Sequence, residues 1–124
     1  MSRAVLDNYQ QMQIATANPA ELLILTYEIG LKSMRQADRA FKKGESTKAR
    51  SELLRAVTAV VQLDEVLDVD AAPVGPHLRR LYGYVRQRLL YAAQAEDVNA
   101  IKECIDIMSG LLDAWRQAAA EMKA

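Results

Sequence analysis

One histidine, one cysteine and a short acidic cluster are the side chains of this sequence whose types suit catalysis or metal binding. No acidic residue stands three positions before His77, so the Glu-x-x-His pairs of di-iron helical bundles are missing from the sequence. Cys104 lies within an apolar helical pattern without a histidine nearby, which favours a small buried residue over a nucleophile. The acidic residues within 64–70 are typical of a solvated helix end. The sequence therefore predicts no enzyme, no metal site and no cofactor.

A segment rich in arginine and tyrosine raises the question of nucleic-acid binding. Residues 78–91, LRRLYGYVRQRLLY, contain four arginines, three tyrosines and no acid, and such mixtures can bind single strands. A helix, however, turns Arg79 and Arg86 to one side and the other two arginines to another. The chain has 16 basic and 16 acidic residues, whereas general nucleic-acid binders carry a basic excess. We therefore expect a solvated helix face with some partner contacts and no nucleic-acid partner.

Four helices are predicted to position these residues, because glycine and proline are scarce and strong helix formers dominate. Asn18 is the expected N-cap of the first helix, Gly44 its C-terminal residue, and Asp97 the N-cap of the fourth. The segment DVDAAPVGPH is the one obvious linker. The predicted helices span about residues 19–43, 46–69, 77–94 and 97–122.

The predicted helices carry apolar residues at steps of three and four, the pattern of a surface that faces a core. The clearest stripe lies on the fourth helix and consists of Val98, Ile101, Ile105, Met108, Leu112, Trp115, Ala119 and Met122. Short turns and a length of 124 residues indicate one all-α domain, an antiparallel (up-down-up-down) four-helix bundle of residues 18–124. Residues 1–17 are predicted to form an N-terminal arm that is mobile or folded back.

Three features of the sequence indicate the cellular compartment. The first fifteen residues lack the continuous apolar region of a signal peptide. No apolar run approaches the ~18 residues of a membrane span. The single cysteine excludes an internal disulfide, which fits a reducing compartment. We expect a cytoplasmic protein without a membrane span.

Three helices carry more apolar surface than a simple bundle buries. Leu22, Leu25 and Ile29 lie about 100° to one side of the first helix's core stripe, since each residue turns ~100°. They are either core residues at a wide helix junction or part of a partner's footprint.

The third and fourth helices show the same surplus. Tyr84 and Tyr91 lie well away from the third helix's stripe, and Ile107 and Leu111 belong to a second stripe on the fourth. The tyrosines either pack against neighbouring side chains or anchor a partner. Patches of this kind usually mark an interface.

The order and spacing of several segments give the chain a resemblance to a known family. The segments are an arm with Tyr9, then ANPAELLILTYEIGLKSMRQA, KKGESTKARSELLRAVTAVVQLDEVLD, LRRLYGYVRQRLLYA and LLDAWRQA. Together they resemble the flagellar secretion chaperones of flagellin, the FliS family, from Tyr9 to the end. The chain departs from the family's usual residues at Thr26, Glu28 and Gly83, which bears on client preference.

The resemblance implies a cytoplasmic export chaperone with an antiparallel helical bundle. Such a protein binds the disordered C-terminal segment of flagellin, blocks premature polymerisation and delivers its client to the flagellar type III export apparatus. The implied partners are flagellin and a component of the export gate, and no cofactor or nucleotide is implied. Such binding is coupled to folding of the client, which costs ~2–5 kcal/mol of ordering free energy.

From the surplus apolar surface and the arm we predict a client-binding groove. Its residues are Tyr9, Ile14, Leu22, Leu25, Ile29, Tyr84, Tyr91, Ile107 and Leu111. In the free protein the arm is expected to fold back over the beginning of the first helix as a stand-in for the client. The alternative interpretation is a self-associating helical module that buries the same patches in a weak homodimer or against another helical partner.

Overall fold

The computed structural model describes residues 19–123, and this range contains four α-helices and no strand. The helices are α1 (Pro19–Lys42), α2 (Ser46–Val66), α3 (Gly75–Ala95) and α4 (Val98–Lys123). The predicted number and order of helices are confirmed. The predicted arm, with Tyr9 and Ile14, and the predicted cap Asn18 lie outside the described residues.

Local hydrogen bonds end α1 and begin α4 at the positions that the sequence indicates. Gly44 has a left-handed φ of 75°, and its N–H and that of Glu45 donate to carbonyls of the last turn of α1. The side chain of Asp97 accepts from the backbone N–H groups of Asn99 and Ala100, at 3.0 and 3.2 Å. Asp97 is therefore the N-cap of α4, as predicted.

The linker between α2 and α3 begins earlier than its composition indicates. Helix α2 was expected to continue to about Val69, but it ends at Val66 because Leu67 adopts an extended conformation. The linker then folds back on α3: a Cβ at Gly75 would lie 2.2 Å from the carbonyl oxygen of Val69. Only a glycine fits this close approach.

Polar contacts between α2 and α3 show that the two helices are antiparallel. At one end, Arg79 near the start of α3 donates to Asp64 near the end of α2, at 3.1 Å. At the other end, Arg50 near the start of α2 donates to the carbonyl of Ala93 near the end of α3, at 3.0 Å.

Helices α1 and α4 are antiparallel in the same way and close the bundle. Arg116 near the end of α4 pairs with Glu28 near the start of α1, and Arg35 further along α1 donates to Ser109. Each helix packs against two neighbours, in the order α1, α2, α3, α4 and back to α1. This confirms the all-α, up-down-up-down four-helix bundle.

The core contains most of the predicted apolar stripes. Burial of one such aliphatic or aromatic side chain contributes about 1.5–3 kcal/mol. Leu54 on α2 and Leu90 on α3 are different, because they remain 57% and 46% exposed. The largest fully buried side chains are Tyr27, Met34, Leu53, Val60, Leu63, Tyr82, Val85, Leu89, Ile101, Cys104 and Met108.

Candidate functional site

A hydrogen-bonded aromatic cluster holds three helices together at one end of the bundle. Tyr27 of α1 and Tyr82 of α3 share a hydrogen bond between their hydroxyls, and the indole N–H of Trp115 donates to Tyr27 at 3.0 Å. Burial raises the pKa of both tyrosines above the ordinary value, so both hydroxyls stay protonated and can donate. The cluster fixes the relative positions of these three helices at this end of the bundle.

An open apolar groove of about 400 Å³ lies beside this cluster, where α1 begins and where α2 and α4 approach their ends. We call it the end groove. Trp115, expected to be a core residue, is only half-buried and forms one of its walls. The groove is lined by Pro19, Ala20, Leu22, Leu23, Thr26, Gln62, Leu63, Val66, Trp115, Ala118 and Ala119.

A smaller cavity of about 230 Å³ continues the end groove beneath the linker. The two share the walls Leu23, Leu63, Val66 and Trp115. The linker side of this cavity is also apolar and includes Val74. The end of the bundle therefore presents one continuous apolar region that extends from α4 to the linker.

A second groove, of about 610 Å³, separates α1 from α4 on the outside of the bundle. We call it the side groove. Leu25 and Ile29 line it, and charged side chains stand around them. The pair of Arg116 with Glu28, at 3.3 Å, is about half exposed, so it orients these side chains more than it stabilises the fold. The side groove is amphipathic, whereas the end groove is mostly apolar.

The exposed side of α3 carries a network that we call the tyrosine face. Tyr84 donates to one carboxylate oxygen of Glu103 at 2.6 Å, and Arg88 donates to the other at 3.0 Å. The guanidinium of Arg88 also lies 4.9 Å from the centre of the Tyr91 ring. The hydrogen bond from Tyr84 lowers the pKa of Glu103, which keeps the carboxylate charged. Both tyrosines are thus exposed and packed against neighbouring side chains.

Ile107 and Leu111 lie one and two turns after Glu103, and therefore on the side of α4 that faces the tyrosine face. Both are half-buried and pack against the core. They are less accessible than Tyr84 and Tyr91, which are 41% and 46% exposed.

The structure distributes the predicted site residues over three surfaces. Leu22 lines the end groove, while Leu25 and Ile29 line the side groove. The α3 and α4 residues lie at and beside the tyrosine face. The sequence did not identify Trp115, Val66 and the small alanines of the end groove, because their contribution depends on which helix ends meet.

The histidine, the cysteine and the acidic residues are not arranged for catalysis or metal binding in the described part of the chain. Cys104 is buried, and burial raises the pKa of its thiol to about 12, so it is not an activated nucleophile. His77 is exposed. Within residues 19–123 no group of three or more His, Cys, Asp or Glu side chains lies close enough to bind a metal ion. None of the helices in this range is long and apolar enough to cross a membrane.

Comparisons with known proteins give a matching family model and several related sequences. The family model for the flagellar protein FliS matches residues 1–122. A flagellar secretion chaperone FliS from Bacillus subtilis (strain 168) is 27% identical, over 89% of this chain and 82% of the relative. One from Campylobacter jejuni (serotype O:6, strain 81116) is 30% identical, over 88% and 86%. One from Salmonella typhimurium (strain LT2) is 27% identical, over 84% and 78%.

Proposed function

Since this chain belongs to the FliS family of flagellar proteins, we propose that it is a cytoplasmic export chaperone whose client is flagellin. It binds the disordered C-terminal segment of flagellin, blocks premature polymerisation and presents the client to a component of the export gate. The family is one of flagellar secretion chaperones and not of enzymes. This confirms the prediction from the sequence that the protein is not an enzyme. A flagellar protein is therefore the partner class, and flagellin is the member that we propose.

The continuous apolar region at the end of the bundle is the observation that carries this proposal. Val66 is 61% exposed there, and the half-buried Trp115 lines both the end groove and the cavity beneath the linker. A disordered client that is rich in apolar residues gains free energy by burying them in such a region. A helical or extended segment of the client fits between three helix ends better than a folded surface does.

The side groove and the tyrosine face supply the second and third contact areas of the proposed complex. A client segment that leaves the end groove along α1 meets Leu25 and Ile29, with Lys32 and Arg35 beside them. Tyr84 and Tyr91 offer amphipathic rings of the kind that is enriched in interfaces. The client thus wraps around the bundle instead of filling one pocket.

We propose that residues 1–17 form a separate arm that covers part of the client site in the free protein. Pro19, the first described residue, is itself a wall of the end groove, so the arm enters the described part of the chain at that groove. Tyr9 and Ile14 are the apolar residues proposed to occupy it. A variant without the arm should bind the client at least as tightly as the full chain. Clearly weaker binding would show that the arm belongs to the binding surface.

Isothermal titration calorimetry at two temperatures tests the proposed function. The titrant is a peptide of the C-terminal segment of flagellin from the same organism. We expect tight one-to-one binding with a strongly negative heat-capacity change, because apolar surface is buried. A folded protein that does not bind this peptide would overturn the proposal.

Self-association is the second candidate function, and the exposed leucines Leu54 and Leu90 are the observation that favours it. They lie on α2 and α3, which pack against each other, and two-fold pairing of bundles would cover them. Sedimentation velocity over a range of protein concentrations distinguishes the two. A concentration-dependent dimer that does not bind the flagellin peptide would favour this alternative.

A further inference from the structure

Gln62 of α2 is an unusual residue for its position in the end groove. Its side chain is 5% exposed, and the groove around it is mostly apolar. The amide oxygen Oε1 is buried and accepts no hydrogen bond from any residue within 19–123. A buried acceptor without a partner costs stability, and native proteins keep few of them.

The other polar and charged groups with buried oxygens do not share this situation. The Thr26 hydroxyl, which also lines the end groove, donates to the carbonyl of Leu22 at 2.9 Å. Asp38 and Glu52 each have one unpaired carboxylate oxygen, but the second oxygen of each pairs with a basic residue on its own helix. Neither of these acids lines the end groove. Gln62 is thus the buried polar group that points to a ligand.

We propose that Gln62 is the polar recognition point of the end groove, and that the bound client segment donates a hydrogen bond to its Oε1. This inference rests on the proposed function. The donor is a Ser, Thr, Asn or Gln side chain set among apolar residues of the segment, or a backbone N–H that the segment itself leaves free. The occupant is therefore an apolar segment with one donor at a defined position.

The burial of Oε1 explains how this contact selects its occupant. Because Oε1 is buried in the free protein, a donor reaches it only when the occupant settles into the groove and displaces what covers the oxygen. Only a segment whose apolar residues fill the groove can do so. A fully apolar segment would leave the acceptor unpaired and would bind less tightly, so the groove discriminates by chemistry as well as by shape.

The same contact would set the register of the client. Apolar walls such as Leu63 and Val66 allow a bound segment to slide, since the hydrophobic effect has no direction. A hydrogen bond to a fixed acceptor on α2 is directional and is satisfied at one position only. The remaining segments of the client then reach the side groove and the tyrosine face in one arrangement.

The test compares Gln62→Met with Gln94→Met in the full chain. Methionine keeps the unbranched length of glutamine but cannot accept this hydrogen bond. Gln94 is exposed at the end of α3 and does not line the end groove. It serves as the control for the same substitution outside the groove. For each variant, calorimetry gives the affinity for the flagellin C-terminal peptide, and thermal unfolding gives the Tm. We expect Gln62→Met to bind about tenfold more weakly with a Tm at or above wild type, and Gln94→Met to change neither.

Replacing each Ser, Thr, Asn and Gln of the peptide by Ala identifies the donor. A donor side chain shows itself when its replacement weakens binding to the wild type but not to Gln62→Met. If no replacement behaves in this way and Gln62→Met still binds more weakly, the donor is a backbone N–H, as the inference allows.

Three results would overturn the inference, and they separate it from the proposed function. Equal affinity of Gln62→Met and wild type would remove the recognition role and leave the chaperone function standing. A lower Tm together with lower affinity would make Gln62 a structural residue. A wild-type protein that does not bind the peptide would overturn the proposed function and this inference with it.

Discussion

The two ends of the bundle differ in whether polar contacts close them or apolar side chains remain accessible. At one end, the turns after α1 and α3 are closed by polar contacts: Ser46 donates to Glu96, and Arg50 donates to the carbonyl of Ala93. We call this the closed end. At the opposite end, which we call the open end, Val66 is exposed and Trp115 is half-buried beside the end groove and the cavity beneath the linker. One end of the bundle is therefore closed by contacts within the chain, whereas the other end has apolar surface that a partner could bury.

The connections between the helices account for this difference. The closed end has two short turns, residues 43–45 and 96–97, whose backbone groups are bonded locally. The open end has the longer linker, residues 67–74, together with the first turn of α1 and the last turns of α4. Helix ends that no short turn joins can stand further apart, and a groove results. Four variants, two of them with a control variant, test whether this difference separates stability from binding.

The largest expected effect is at Trp115, which belongs to both the aromatic cluster and the end groove. Trp115→Ala removes an aromatic wall and the hydrogen bond to Tyr27. We expect a loss of about 3 kcal/mol in the free energy of unfolding, measured by urea denaturation, and a loss of client binding in calorimetry.

Trp115→Phe is the control, since it keeps a smaller aromatic ring in the wall and removes the indole N–H together with part of the ring area. It should cost about 1 kcal/mol and retain most of the binding. Equal effects of the two substitutions would show that the ring itself contributes little to the open end.

The next effect concerns binding alone. Val66→Asp introduces a charge into the end groove at a residue that is 61% exposed and ends α2, so the unfolding free energy should change by less than about 1 kcal/mol. We expect about thirtyfold weaker binding of the flagellin peptide, measured by calorimetry, because the client would bury that charge.

Leu54→Asp is the matched control, on the same helix and 57% exposed but outside the end groove. It should leave the affinity unchanged. Equal weakening by both substitutions would contradict a specific role of the end groove in client binding.

A smaller effect is expected at the closed end. Asp97→Ala removes the N-cap of α4, whose side chain accepts from two backbone N–H groups. The unfolding free energy should fall by about 1 kcal/mol in urea denaturation, with no change in peptide affinity. A clear loss of affinity would show that the closed end also contributes to binding.

The smallest effect concerns the tyrosine face. Tyr84→Phe removes the hydrogen bond that lowers the pKa of Glu103, so this pKa should rise toward the ordinary value in an NMR titration. The carboxylate has a lower pKa when folded, and its contribution to stability is therefore present above the unfolded pKa and lost as the pH falls through the folded one. Wild type and variant should differ slightly in stability at neutral pH and become equal in acid. An unchanged Glu103 pKa would contradict this network.

Sequence patterns predicted what depends on neighbours along the chain. The four helices, the glycine turn at Gly44 and the cap at Asp97 all follow from local hydrogen bonding and from helical periodicity. The end of α2 was placed three residues too late, because the start of the linker depends on how it packs against Gly75.

The grooves could not be predicted in the same way. Leu22 and Leu25 lie within about 60° of each other on one helix, but they line different grooves because different helices face them. Trp115 belongs to the apolar stripe of α4 and is therefore predicted to be a core residue. It is half-buried because α4 meets helix ends there. The unpaired state of Gln62 also depends on residues distant in sequence.

Hydrogen exchange of the backbone amides, with and without saturating flagellin C-terminal peptide, tests the difference between the two ends most directly. We predict slower exchange in the first turns of α1, the last turn of α2 and the residues of α4 around Trp115. The turns at residues 43–45 and 96–97 should exchange at unchanged rates. Protection that is equal at both ends, or confined to the closed end, would contradict the account.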